Sequence, residues 1–491
     1  MPDMYSELSK LAESDMYPFH MPGHKRNLES TPFKGAFRCD ITEIDDFDNL
    51  HDASGLIKDC QDRANKLYGA DETFFLVNGS TCGVLAAVSA VAGQDDSVLA
   101  ARGSHKAFYH AVYLRKAKVK YLPYKIDKSL NIPEPYTAKE IEAAITDDTK
   151  AVFITSPTYE GKCSDIRAIA DVCHEAGIPL VVDAAHGAHF GFGDSSRIPE
   201  NAVSQGADIV IHSVHKTLGS MTQTALLHVQ GNLIDRDKLK RFLRIYQSSS
   251  PSYVLMASID LCMKEMEDHG YERMENFLKY RDKLDSGIAN CKNIRVLAAD
   301  KCTDPGKVLI YDASVAMTGQ QIYDILREEF MLQLEMAGEK GALAIITGWD
   351  TEEGIDRLTE ALTRIDDHIS DMITEHVYAE DAINAKPQTL FPGKENVEAI
   401  ELPRAVMMLH EAWDAGMEVV PLEEAAGRIS GDFVNLYPPG IPLIVPGEEI
   451  TSQFISDIER YMSIKLNVQG VLDIGNKGII DKRGILCVKQ K

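Results

Sequence analysis

"ADIVIHSVHKTLGSMTQTALLHV", residues 207–229, places two short apolar runs on either side of a polar turn that carries a serine, a histidine and a lysine. Residues 207–212 and 225–229 are of strand length and apolar on both faces, the pattern of strands covered on both sides in a mainly parallel sheet. Ligand chemistry in such sheets collects outside the carboxyl ends of the strands, and Lys216 stands at one. A lysine ammonium is almost never buried without a partner. The turn therefore either delivers Lys216 to solvent or changes its chemistry.

The same alternation extends outward over residues 71–229. TFFLV, SVLAA, KAVFIT, IPLVVDAA, ADIVIHS and TALLHV read as strands, and CGVLAAVSAVAG, KAFYHAVYLRKA, AKEIEAAITD and DIRAIADVCHEAG as helices. The expectation is an α/β domain with a mainly parallel sheet between helices. A bridging helix is expected at about 253–289, followed by a small α+β layer built from KVLIYD, TGQQIYDILREEF, LQLEMA, GALAIIT and GIDRLTEALTRIDDHI. A polar connection containing Pro387, Pro392 and Gly393 leads to a Pro- and Gly-dense C-terminal part from about Glu401. The expected divisions are an N-terminal segment 1–30, a large domain 31–285, a small α+β domain 286–380 and a C-terminal α+β domain 381–491.

Length agrees with several domains, since 491 residues exceed what one core holds. The net charge of -24, from 51 Lys+Arg against 75 Asp+Glu, disfavours nucleic acid and anionic membranes as partners and mildly favours cationic ligands. No apolar run approaches bilayer length, and the first twenty residues do not read as a signal peptide. Nine cysteines without a C-x-x-C pair imply neither a disulfide framework nor a zinc site. A reducing cytoplasm is the simple expectation.

Four loops fall where strands should end. NGSTCG, 78–83, opens an apolar helix, and free N–H groups there with the Ser80 and Thr81 hydroxyls would cradle a phosphate; G-S-T is also an ordinary capping sequence. Asp183 ends the buried strand of VVDAAHGAH, where a carboxylate needs a partner. Lys216 ends the next, and His105 in RGSHKAFYHA lies between a strand and a helix, where capping is the commoner role. Singly each is weak. Together, an anion site, a carboxylate for a pyridinium nitrogen and a Schiff-base lysine on one sheet edge are what pyridoxal 5'-phosphate needs.

The chain resembles the Orn/Lys/Arg decarboxylase family of fold-type I pyridoxal-phosphate enzymes, with an aspartate-aminotransferase-like large domain. The motifs that carry the resemblance are FHMPGHKRN, DITEIDDFDNLHDASGLI, NGSTCG, RGSHKAFYHA, SPTYEG, VDAAHGAHFGF, SVHKTLGSMTQ, SSSPSY and YPPGIPLIVPGE. The similarity is to the compact form found among arginine decarboxylases of Gram-positive bacteria. MPGHK begins about twenty residues in, so the N-terminal wing of larger members, and the large assemblies it supports, are not expected.

By that resemblance Lys216 holds the cofactor, Asp183 binds its ring nitrogen, His105 stacks on one ring face and Ala185 packs on the other. Ser80, Thr81, Ser213 and His215 hold the phosphate, and Ser249 and Ser250 reach the phosphate of a neighbouring subunit. The implied activity is decarboxylation of a basic amino acid, arginine or lysine ahead of ornithine, by a homodimer with shared sites. Glu43, Asp45, Asp46 and Glu448 are the candidates to receive the substrate's distal cation. Two alternatives stay open on this fold, another pyridoxal-phosphate reaction such as transamination or aldol-type cleavage, and a non-catalytic cofactor-binding partner.

Overall fold

Six of the apolar runs form one sheet: β1 (Glu72–Leu76), β2 (Ser97–Ala100), β3 (Thr149–Thr155), β4 (Leu180–Asp183), β5 (Ile209–His212) and β6 (Ala225–Val229). Their order is β1-β6-β5-β4-β3-β2. β2 to β5 are parallel neighbours. β6 is antiparallel to both β5 and β1, so β1 points the same way as β5. The reversal follows from the connection: between β5 and β6 there is only the single turn Val214–Thr217, too little for the crossover helix that a parallel return needs. The carboxyl ends of β1, β3, β4 and β5 thus open on one edge.

The computed structural model describes residues 3–29, 31–377, 396–437, 440–475 and 482–490; the expected polar connection with Pro387, Pro392 and Gly393 lies outside them. The chain groups into two compact units, Met1–Ala100 with Tyr136–Pro157 and Cys163–Asn276, and Ala101–Pro135 with Thr158–Lys162 and Phe277–Lys491. In the first unit every position of β2, β4, β5 and β6 is buried, at roughly 1.5–3 kcal/mol for each large apolar side chain removed from water. Helix Gly79–Val91 covers part of this sheet with Val84, Ala86, Ala87 and Val88. Its approach is close enough that a Cβ on Gly83 would meet Leu76 Cδ1 at 2.6 Å. Glycine there lets the helix start lie against the ends of β1 and β5.

The second unit holds an antiparallel sheet in the order Ile294–Val296, Lys307–Asp312, Gly341–Ile345, Met336–Ala337. Helix Gly319–Glu328 opens on a capping box between Thr318 and Gln321. The Pro- and Gly-dense C-terminal part is more regular than its composition suggests. It forms two three-stranded sheets around a core of Val420, Val434, Ile444, Ile450, Phe454, Ile458 and Ile485. Among the described residues no helix is long and apolar enough to cross a membrane.

Candidate active site

After β1 the chain turns through Asn78 and Gly79. Gly79 takes φ +71°, a left-handed value that glycine adopts without strain, and its amide donates to the Gln223 carbonyl at 2.9 Å. Helix Gly79–Val91 then begins without a side-chain cap from Asn78, which leaves first-turn N–H groups for another acceptor. Ser80 and Thr81 stand in that turn, half-buried and exposed respectively. Ser213, just past β5, donates to Ser80 Oγ at 2.9 Å. Two of the expected phosphate ligands, 133 residues apart, are therefore in contact.

Asp183 closes β4 opposite Thr155 and Ile211 and is 5% exposed. Its Oδ1 accepts the Ala185 amide at 3.1 Å. Burial pushes the carboxyl up from its ordinary value, while the Lys216 charge and that amide pull it back. Such a carboxylate gains from a cationic N–H brought against it. Ala185 is buried, and its carbonyl accepts the Ser213 amide at 3.3 Å.

Lys216 rides on the turn Val214–Thr217, with its amide on the Ser213 carbonyl at 3.1 Å. It is half-buried, and its Nζ lies 3.0 Å from His186 Nε2. An ammonium can only donate, so His186 accepts at Nε2 and keeps its proton on Nδ1. Sequence reasoning passed over His186; the signal was its place directly after Ala185 in AAHGAH. His215 turns Nδ1 to the Thr224 carbonyl at 2.8 Å, and burial holds its pKa below the ordinary value. Its other nitrogen can donate to an anion only when the ring is charged.

His105 belongs to the second unit and caps helix Lys106–Arg115, accepting the Ala107 amide on Nδ1 at 3.2 Å. Ser249 and Ser250 are exposed. The carbonyl of neighbouring Ser248 accepts from His51 Nε2 at 2.8 Å, so the SSSPSY and DNLHD segments lie together.

Among the candidate acids, Asp45 and Asp46 are exposed and Glu43 is half-buried; the Glu43 Oε1 is buried without a hydrogen-bond partner. Asp48, two residues beyond them, is structural, its carboxylate accepting the amides of Ser54, Gly55, Ile57 and Lys58. Glu448 already has a partner on one of its oxygens, while its Oε1 is buried without one. It is 2% exposed, and its Oε2 accepts from Arg102 at 3.0 Å and from the Val445 amide at 2.8 Å. A substrate cation would share this carboxylate with a guanidinium already seated on Oε2.

Comparison with known proteins agrees with this geometry. The family model described as Orn/Lys/Arg decarboxylase, major domain, matches residues 2–329, and the corresponding C-terminal domain matches 394–469. An arginine decarboxylase of Bacillus subtilis is 35% identical over 96% of this chain and 95% of its own length. One of Bacillus anthracis is 30% identical over the same shares. Among solved structures, the lysine decarboxylase LdcF of Francisella novicida superposes with a TM-score of 0.81 at 20% identity, over 100% of this chain and 81% of that one. This is the fold-type I arrangement that the strand order describes. A major-domain match that ends only where the small antiparallel sheet is under way, joined by the C-terminal match and by relatives alike from end to end, means that the chain belongs to the Orn/Lys/Arg decarboxylase family.

Proposed function

We propose that this decarboxylase uses pyridoxal 5'-phosphate and acts on arginine, releasing CO2 and the corresponding amine. The observation that carries the cofactor is the gathering of the Ser80–Ser213 pair, Asp183 and Lys216 at one sheet edge. The uncapped helix start with its hydroxyls suits a phosphate, and the buried carboxylate suits a protonated ring nitrogen. Lys216 would anchor the aldehyde carbon. When bound, the cofactor supplies an electron sink for the charge left at Cα as CO2 departs.

The chain's own residues do the rest. Asp183 would favour the protonated ring nitrogen, because a nearby negative charge favours the charged form. His186 holds the Lys216 Nζ in place. On the family resemblance, His105 would cover one ring face and Ala185 the other, and the imidazole would return a proton to Cα. Thr81 and His215 complete the phosphate contacts in this reading, with Ser249 and Ser250 serving a partner's site.

Arginine is preferred because the relatives most alike along the whole chain carry that name. Glu43 is our candidate for the distal cation, since its buried, unpartnered oxygen would gain a charged hydrogen bond. The expected dimer draws support from an exposed apolar stretch that holds Met16 (66%), Tyr17 (65%), Phe19 (89%) and Met21 (65%), too much apolar surface to leave in water without a partner. The nine cysteines are all unpaired, as suits a reducing cytoplasm.

The test is a panel of arginine, lysine, ornithine, neutral and aromatic amino acids, with detection of amine and CO2. Formation of a keto acid in place of amine and CO2 would move the reading to transamination. Decarboxylation confined to neutral or aromatic amino acids would overturn the substrate.

A further inference from the structure

Within the second unit a cleft of about 1510 Å³ is lined by, among others, Glu160, Tyr124, Ile132, Leu309, Met336 and Tyr461. Glu160 is 6% exposed, and its Oε2 is buried without a hydrogen-bond partner. Burial pushes its carboxyl up; its own backbone amide, the Lys307 charge, the Thr158 hydroxyl and the Lys162 charge draw it the other way, and Oε2 is the oxygen left without a donor. Each lysine is occupied. Lys162 bonds Glu134, and the Lys307 Nζ lies over the Tyr159 ring at 5.2 Å. A buried carboxylate oxygen with no donor costs folding free energy, so its retention needs another reason.

The walls indicate what would satisfy it. Ile132, Leu309 and Met336 are buried apolar residues, and Tyr124 and Tyr461 add aromatic faces that attract cations as well as alkyl chains. The arginines of the cleft are already paired. Arg102 bonds Glu448 at 3.0 Å, Arg404 bonds Glu449 at 2.8 Å and Arg460 bonds Asp457 at 3.1 Å. An incoming anion would compete with these carboxylates, whereas an incoming N–H donor meets a carboxylate oxygen that has none.

We propose that this cleft binds an alkylammonium ion, its N–H donated to Glu160 Oε2 and its methylenes laid along the apolar wall. The ion has two possible sources of the same chemistry: an amine or amino acid of the enzyme's own reaction, or a free polyamine acting from a separate site. Binding, not turnover, is the readout, so an inactive protein would leave this inference testable and the decarboxylase reading would stand or fall separately.

The probe is 1,5-diaminopentane, titrated calorimetrically into the full-length holoenzyme, with 1-pentanol as the neutral control. Glu160→Gln is expected to weaken diamine binding by about tenfold or more, the loss of a charged hydrogen bond, and to abolish the rise in Tm that the diamine gives the parent. Without ligand the variant's Tm should equal or exceed the parent's, since a buried carboxylate oxygen without a donor has gone. Glu160→Asp, which keeps the charge one methylene back, should retain part of the binding. Inhibition competitive with arginine and lost in Glu160→Gln would place the cleft on the substrate's own route; non-competitive inhibition lost in the same variant would make it a separate site. Diamine affinity within about twofold of the parent in both variants would overturn the proposal.

Discussion

Lys216 Nζ and His186 Nε2 stand 3.0 Å apart at the ends of β5 and β4, so the amine that would anchor the cofactor is positioned by an imidazole two residues beyond Ala184. His186→Ala removes that acceptor without touching the phosphate cradle. We expect kcat to fall by about 10- to 100-fold, the worth of one charge-assisted hydrogen bond, with KM for the amino acid little changed. His186→Gln, which can still accept, should recover part of the loss. Steady-state kinetics of the two variants separates positioning from a packing role, which Gln would not rescue.

Lys216→Ala should reduce activity to background while leaving the fold intact, because the half-buried side chain can be cut back without opening a core. A cofactor linkage still trappable by borohydride in this variant would show the anchor to be elsewhere. Asp183→Ala should keep some cofactor and lose most of the rate. Absorbance of the bound cofactor and single-turnover decarboxylation read the two effects separately.

What the sequence disclosed and what it concealed divide along physical lines. Strands such as Leu180–Asp183 and Ile209–His212 were legible because a strand buried on both faces must be written in an unbroken apolar run. The candidate site residues at their ends stood out for the same reason, since Asp183 closes one such run and Lys216 follows shortly after another. The antiparallel setting of β6 was not, because direction depends on what the connection can span. The C-terminal sheets were hidden by prolines that sit where a strand can spare a donor: Pro421 ends its strand opposite Gly484, and Pro442 lies beside a register shift between Val434 and Asn435. Arg102 and Glu448, 346 residues apart, leave no local pattern at all.

That pair yields a prediction opposite to the substrate-binding expectation for Glu448. Both side chains are 3% exposed, and Arg102 also donates to Tyr109 Oη and the Pro442 carbonyl. Glu448→Gln strands a buried guanidinium and should cost about 3–5 kcal/mol of stability, measured by urea unfolding. The ratio of kcat/KM for arginine over lysine should not move. A changed ratio at unchanged stability would return Glu448 to the substrate.

Shared sites predict complementation. Lys216→Ala mixed with a protein inactivated at Ser249 and Ser250 should, after random subunit exchange, give half hybrid dimers with one intact site each, hence about one quarter of the parent's activity. If exchange is demonstrated by a mass-tagged subunit and activity stays at background, each site is built from one chain.

The last prediction concerns two imidazoles inside the sheet. Thr73 Oγ1 donates to Asn65 Oδ1 at 3.2 Å, so at 2.8 Å it accepts from His228 Nδ1. His228 Nε2 then accepts from His212 Nδ1 at 3.1 Å, and the His212 Nε2 is left buried without a partner. His228, which donates on one nitrogen and accepts on the other, must be neutral for this chain of bonds, and a proton on the His212 Nε2 would have no acceptor. Burial accordingly holds His212 down to about 3 and His228 well below its ordinary value. In the unfolded chain both titrate near about 6.5. Above that value neither state binds these protons and the stability is fully present. As pH falls below it, the unfolded state takes up protons that the folded state refuses, and stability drops by about 1.4 kcal/mol per pH unit for each ring until the folded pKa is reached. His228→Gln can still accept from His212 and donate to Thr73, so it removes one titrating group while keeping the hydrogen bonds. The slope of unfolding free energy against pH between 6 and 4 should therefore be shallower in this variant by about 1.4 kcal/mol per unit. Urea midpoints at pH 6, 5 and 4 measure it, and equal slopes in the two proteins would mean that these rings accept protons within the folded sheet.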